Sequence, residues 1–166
     1  MVQARPENAE EVGRIHALSW KAAYCDILSP TDWLGFTPEK RAAVFRRNYQ
    51  QTPDQTYLFY AAGEAKGMAI LGPSWEEEYP EDLGEIGAFY FLPEAWGTGL
   101  AQKALHFCCS YFEKNGCQGV LLWVLEDNRR ARRFYENSGF CLDGTRREFP
   151  AAHGICAGVR DYRRLV

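Results

Sequence analysis

The stretch Phe89-Tyr-Phe-Leu-Pro-Glu-Ala-Trp-Gly-Thr-Gly-Leu-Ala-Gln-Lys-Ala-Leu105 restricts the fold of this chain more than any other, because it passes from strand to loop to helix. An aromatic, apolar run stops at Pro93, which has no N–H to give to a sheet ladder. Gly97 and Gly99 follow, and then a segment whose apolar positions Ala101, Ala104, Leu105, Cys108 and Phe112 keep to one helical face. A glycine loop opening a helix bares backbone N–H groups at the positive end of the helix dipole, which favours an anion such as a phosphate. The amides of Gly97, Thr98, Gly99, Leu100, Ala101 and Gln102 would face it, since glycine lets the backbone approach where a side chain would clash. Plain strand-to-helix turns share this spacing, so the sequence downstream has to discriminate.

Downstream, Asn115-Gly116 reads as a helix C-cap and Val120–Leu125 as an apolar run of the kind found in parallel strands covered on both faces. Strand, helix and strand make a βαβ unit, with right-handed crossover. Earlier in the chain, Val2–Arg5 reads as a short strand ended by Pro6. Asn8 is a candidate cap for a helix over roughly residues 9–22, with Val12, Ile15, Leu18 and Ala22 on its apolar face. Ser29-Pro-Thr31 reads as a loop, and Pro38 to about Gln50 as a basic amphipathic helix. Tyr57–Ala62 and Met68–Leu71 flank Gly63-Glu-Ala-Lys-Gly67, a hairpin signal. The acidic segment Glu76–Asp82, with Pro80, reads as a loop, and Glu85–Leu92 as a strand. Cys141–Phe149 and Ala157–Leu165 supply two last strands. No repeat or linker interrupts the pattern, so one α/β domain over residues 1–166 on a mixed sheet is expected.

With 46% hydrophobic and 25% charged residues, the chain of 166 residues is composed like a globular domain and is long enough to bury a core. No apolar run approaches the ~20 residues of a membrane span, and the N-terminus lacks a basic-then-apolar signal pattern, so no membrane and a cytoplasmic location are expected. The six cysteines (25, 108, 109, 117, 141, 156) contain no Cys-x-x-Cys pair, so no metal site is expected and buried, reduced thiols are. Residues 1–83 carry 8 Lys and Arg against 13 Asp and Glu, a net −5, and residues 84–166 carry 11 against 9, a net +2. That asymmetry suits an anionic ligand on the second half and a cationic one on the first, and ordinary scatter would produce it equally well. The absence of a long basic stripe argues against a nucleic-acid partner.

The second informative block is Val120-Leu-Leu-Trp-Val-Leu-Glu-Asp-Asn-Arg-Arg-Ala-Arg-Arg-Phe-Tyr-Glu-Asn-Ser-Gly-Phe140. Together the two blocks resemble motifs A and B of the GCN5-related N-acetyltransferase (GNAT) superfamily. Against the family's Arg/Gln-x-x-Gly-x-Gly/Ala, this chain has Trp96-Gly-Thr-Gly99-Leu-Ala101: the glycine and the small residue match, and Trp96 replaces the leading polar residue. Asn128, Ala131, Tyr135 and Gly139-Phe140 fall at the family's spacing in the second block. The resemblance implies a twisted, mixed, mostly antiparallel sheet flanked by helices, whose central parallel strands splay around acetyl-CoA. It assigns the pyrophosphate to the Gly97–Gln102 loop and the pantetheine arm to the backbone of Phe89, Tyr90 and Phe91, one of whose amides would meet the thioester oxygen. A fixed N–H aimed at developing negative charge is a standard source of acyl-transfer catalysis.

The same resemblance sets Asn128 against pantetheine and Tyr135 beside the sulfur. Seven residues are two helical turns, so both fall on one face. A phenol with a reference pKa of ~10 can donate to a departing thiolate. Arg129, Arg130, Arg132 and Arg133 crowd a first helical turn against the helix dipole, and the 3′-phosphate of CoA would offset that cost. Arg133 is the chosen partner; a solvated basic face balanced by Glu126, Asp127 and Glu136 is the competing reading. Glu85 is the candidate base for the acceptor amine, directly or through water. Family members with an acid on the following strand offer no help, because this chain has Leu122, Trp123 and Val124 there. Trp20 and Tyr24 resemble acceptor-site aromatics and serve a core equally well.

These readings converge on an acetyl-CoA-dependent N-acetyltransferase in which a primary amine attacks the thioester directly, with neither metal nor cysteine nucleophile. The acidic first half favours a small cationic amine as acceptor. A protein N-terminus or lysine is the alternative within enzymes, and a non-catalytic acyl-CoA-binding module the alternative outside them. Oligomeric state is not legible, and a homodimer is compatible with the chain.

Overall fold

The computed structural model describes residues 1–30, 35–51, 55–74, 82–148 and 158–165. In chain order the elements are β1 (Val2–Gln3), α1 (Ala9–Tyr24), α2 (Pro38–Gln51), β2 (Gln55–Ala61), β3 (Glu64–Pro73), β4 (Leu83–Phe91), α3 (Leu100–Lys114), β5 (Gly119–Leu125), α4 (Arg129–Asn137), β6 (Cys141–Glu148) and β7 (Gly158–Leu165). The strands pair in the order β1-β2-β3-β4-β5-β7-β6, a mixed sheet in which β4 and β5 run parallel and the pairs β1–β2, β2–β3, β5–β7 and β6–β7 are antiparallel. This is the α/β class expected from the sequence. The chain divides into two compact units, Met1–Leu71 with Ala88–Leu105, and Gly72–Gly87 with His106–Val166. Most of the acidic Glu76–Asp82 segment, Thr31 and Cys156 lie outside the described residues.

In the first unit, β2 and β3 form the expected hairpin with a tighter turn than Gly63–Gly67. Ala62 (φ 50°) and Gly63 (φ 81°) alone connect the strands, and Glu64–Gly67 already belong to β3. Positive φ at both turn residues matches the twist of paired strands, which is why a two-residue connection suffices. A register shift between Phe59 and Tyr60 follows within β2. Helices α1 and α2 pack together where α1 has Gly13, since a Cβ there would strike Pro38 O and Ala42. The core of this unit gathers Val12, Ile15, Phe45, Leu58, Met68 and Leu92. Burying a side chain of this kind stabilises by about 1.5–3 kcal/mol. Leu18 departs from its expected inward position and is 45% exposed. Trp20 takes the inward place instead. Asn8 also behaves differently from a simple cap. It ends a 3-10 turn (Pro6–Asn8), its Oδ1 accepts from Arg5 N at 3.0 Å, and its Nδ2 donates to Glu11.

In the second unit, β5 is buried on both faces, as a central strand should be. The parallel ladder joins Leu83, Gly84 and Glu85 to Gly119, Val120 and Leu121 and stops there, although both strands continue. Strand β7 then inserts between β5 and β6. Phe112 of α3 lies on Gly84, where any Cβ would collide with its ring. Both helix ends of this unit close with the Schellman pattern. At α3, Gly116 (φ 82°) donates to Glu113 O and Cys117 to Phe112 O; at α4, Gly139 (φ 86°) donates to Glu136 O and Phe140 to Tyr135 O. The thiols do not all follow expectation: Cys108 and Cys109 are buried, while Cys25 and Cys141 are exposed. Burial raises the Cys108 thiol pKa well above its usual range, which keeps it protonated and unreactive.

Candidate active site

The glycine loop of the first unit is built from its two ends. Pro93–Ala95 form a 3-10 turn after β4, and the Trp96 indole Nε1 donates to Phe91 O at 2.8 Å, fixing the loop to the end of the strand. Trp96, which stands where the family has Arg or Gln, thus holds backbone. The Thr98 hydroxyl donates to Ala95 O at 2.7 Å, and the helical ladder opens with Lys103 N to Gly99 O at 3.1 Å. The amides of Leu100, Ala101 and Gln102 therefore precede the ladder, at the positive end of the helix. Gly97 and Gly99 have φ of 74° and 83°, the left-handed region, and a Cβ on either would meet nothing within 4 Å. Conformation requires glycine at both positions, and open space above them leaves room for a ligand.

On β4, Phe91 is buried in the core against Phe59 and over Gly67, whereas Phe89 and Tyr90 are half-buried. Tyr90 belongs to an aromatic cluster of the same unit. His16 stacks on Tyr90 (5.0 Å, 26°) and meets Phe36 edge-on (5.0 Å, 80°). Trp20 stacks on Phe36 at 4.5 Å, and Tyr24 touches Trp20 at 4.9 Å and Tyr90 at 6.5 Å. Arg41 of α2 lies over Phe36, 4.4 Å from the ring centroid. Burial, with the Arg41 charge adding to it, lowers the His16 pKa to about 3. Trp20 and Tyr24 were legible as aromatics; His16, Phe36 and Arg41 were not. The spacing of His16, Trp20 and Tyr24, four residues apart on one helix, was the signal that could have found the first of them.

In the second unit, Glu85 is 6% exposed and its Oε2 accepts from Ser74 Oγ at 3.4 Å. Asn128 is a helix cap: its Oδ1 accepts from Ala131 N at 3.1 Å. Its carboxamide oxygen is therefore committed to α4, which explains an asparagine here without a ligand. Tyr135 is 6% exposed, edge-on to Phe134 and Phe140 at 5.3 and 5.8 Å. The Phe140 contact is the hydrophobic partner of the Schellman closure, so the same motif that ends α4 also sets the Tyr135 ring. The opposite face of α4 lines an open cleft of about 450 Å³ with Arg129, Arg130, Arg133, Phe134 and Asn137. Desolvation lowers the Arg130 pKa. Arg132 lies apart from this cleft and donates to Glu126 O at 3.0 Å, and the Glu126 carboxylate pairs with Arg146 at 3.1 Å.

Among the described residues no group of His, Cys, Asp and Glu is placed to hold a metal ion, and no helix is long and apolar enough to cross a membrane.

Each unit thus presents an open, helix-borne feature suited to an anion: the glycine loop before α3 in the first, and the arginine-lined cleft of α4 in the second. The model of the acetyltransferase (GNAT) family matches residues 9–140, and the chain belongs to that family of enzymes. It is 38% identical over 147 residues to an uncharacterized N-acetyltransferase of Mycobacterium tuberculosis, covering 88% of this chain and 91% of that protein. It is 35% identical over 80 residues to the mycothiol acetyltransferase of Geodermatophilus obscurus, where it spans 45% of its own length and about a quarter of the relative's, 26%. The fold matches that of the PaiA N-acetyltransferase of Thermoplasma acidophilum, solved with coenzyme A, at a TM-score of 0.76 and 17% identity over 99% of this chain and 97% of that one.

Proposed function

We propose that the chain is one cytoplasmic domain that transfers an acetyl group from acetyl-CoA to the primary amine of a small molecule. The early end of the β4–β5 ladder at Glu85 and Leu121, on the strand that leads into the Gly97–Gln102 loop, carries this reading. A strand that parts from β5 and is followed by amides at the positive end of a helix fits a pantetheine arm ending in a pyrophosphate. The bound coenzyme A of the PaiA neighbour supports the donor, and the mycothiol acetyltransferase match supports a small-molecule acceptor.

Acetyl-CoA supplies a thioester carbonyl and a thiolate leaving group. The amine nitrogen bonds to the carbonyl carbon, the C–S bond breaks, one proton leaves nitrogen and the sulfur takes one up. The loop amides of Gly97–Gln102 hold the pyrophosphate, and backbone at Phe89–Phe91 orients the arm and donates to the thioester oxygen. Glu85 attracts the alkylammonium and relays its proton through water; a carboxylate of reference pKa ~4.3 is too weak to remove a proton of pKa ~10.4 unaided. Tyr135 donates its phenol proton to the sulfur. Asn128 fixes the start of α4 and turns its amide nitrogen to the arm. Arg133, with Arg129 and Arg130, takes the 3′-phosphate.

Two measurements test this. Acetyl-CoA is incubated with a panel of primary amines, scoring free thiol and the acetylated product by mass. Binding with no amine-dependent release would overturn transfer and leave a non-catalytic acyl-CoA-binding module. Separately, Arg133→Gln should reduce the preference for CoA over dephospho-CoA by about tenfold, the loss of one charge-assisted contact; an unchanged preference removes Arg133 from the 3′-phosphate.

A further inference from the structure

Arg41 brings a positive charge into the aromatic cluster of the first unit, and among the described residues no carboxylate pairs with it. It takes part in no ion pair among the described residues, unlike Arg46 with Glu10, Lys66 with Glu64 and Glu94, and Arg146 with Glu126. Its Nε is buried and has no hydrogen-bond partner among those residues. The nearby His16 imidazole is held neutral, partly by the Arg41 charge, and carries no negative charge in either protonation state. The Phe36 face accepts the cation, worth roughly 1 kcal/mol by cation–π attraction, but a ring is only a weak acceptor for the guanidinium N–H groups. Ser19, three residues beyond His16 on α1, adds another buried polar atom, its hydroxyl, without a hydrogen-bond partner among the described residues. A guanidinium fork left with donors to spare beside four aromatic rings is matched by a planar anion attached to an apolar body.

We propose that Arg41 is a specificity-determining residue that binds a carboxylate on the acceptor, so that the amine acetylated by this chain is a zwitterion with an apolar body. Trp20, Phe36 and Tyr90 give that body its walls, and Arg41 selects the anion. The acceptor is then not simply cationic, as charge distribution along the sequence suggested. This inference rests on acyl transfer to a small amine, and its test separates the two.

The kinetic probes are matched pairs differing by a carboxylate: phenylalanine with phenethylamine, tryptophan with tryptamine, and leucine with 3-methylbutylamine, compared at equal free-amine concentration. The wild type should show kcat/KM at least about tenfold higher for the acid of a pair, as one charge-assisted contact predicts. Arg41→Gln should bring that ratio to about one, and Arg41→Lys, which keeps charge but not the fork, should leave it between. Circular dichroism confirms that each variant folds. A wild-type ratio near one, or a ratio that survives Arg41→Gln, overturns the proposal. If no amine releases CoA, acyl transfer fails, and the anion site is decided by calorimetry with N-acetylphenylalanine and its amide. Tighter binding of the acid by about tenfold, lost in Arg41→Gln, supports the site; equal binding of acid and amide overturns it.

Discussion

Replacing Gly99 combines a backbone effect with a ligand effect, and the structure supplies the control that separates them. Gly99 has φ +83° and Gly63, in the β2–β3 turn, has φ +81°; a Cβ at either meets nothing within 4 Å. Gly99→Ala and Gly63→Ala therefore carry the same conformational strain and no clash. The left-handed region costs an L-residue about 1–2 kcal/mol, so each variant should lose about that much stability. For a chain of this size that corresponds to a Tm lower by roughly 2–8 °C. Only Gly99 lies in the loop before α3. If its open face receives the pyrophosphate, the new methyl displaces an anion from one or two amides. At about 1.5–3 kcal/mol per charged hydrogen bond, CoA affinity falls at least about tenfold. Titration calorimetry with CoA, beside thermal melts of both variants, reads the two effects. Equal Tm losses with unchanged CoA affinity in Gly99→Ala would refute the loop as phosphate cradle. Gly99→Val is a poorer probe, because a β-branched residue is strained further at positive φ whatever the ligand does.

Tyr135→Phe removes a hydroxyl and keeps the ring contacts with Phe134 and Phe140, so kcat should fall by about 10²-fold or more while acetyl-CoA affinity stays within twofold. An unchanged kcat with chemistry rate-limiting would return Tyr135 to a packing role. Glu85→Gln retains size and the Ser74 contact but deletes the charge; KM for amine should rise several-fold, with kcat/KM partly restored at high pH, where free amine is supplied by solvent. A wild-type pH–rate profile in that variant would place the base elsewhere. His16, with its folded pKa lowered to about 3 against an unfolded value of ~6.5, binds fewer protons folded than unfolded between those values. Its contribution to stability is therefore full above pH 6.5 and drains away as pH falls toward 3. His16→Gln should lack that component of the acid loss in urea titrations at stepped pH, and identical pH slopes would count against the buried neutral imidazole. Gly84→Ala should cost about 1–3 kcal/mol by pushing into the Phe112 ring, measured as a lower urea midpoint.

Local chemistry alone determined much of this protein. Pro93, the paired glycines and the amphipathic run after them fix strand, loop and helix, since each depends on a residue's own φ restriction or on helical periodicity. Asn115-Gly116 and Ser138-Gly139 end helices through bonds within one turn, so sequence marks them as well. The Asn128 cap is equally local, a bond from Ala131 N within one helical turn. Other features depend on partners far apart in sequence. The insertion of β7 between β5 and β6, and the end of the parallel ladder after Glu85, have no local signature, because pairing choice is decided by which edges meet. Which face of α1 turns inward also needed the structure: Leu18 fits the apolar pattern yet faces out, because Gly13 seats α2 close against the helix and the aromatic cluster claims Trp20. His16, Phe36 and Arg41 meet only after α1 and α2 pack against β4, and it is that packing, not any motif, that sets a guanidinium among aromatic rings with no ion-pair partner among the described residues.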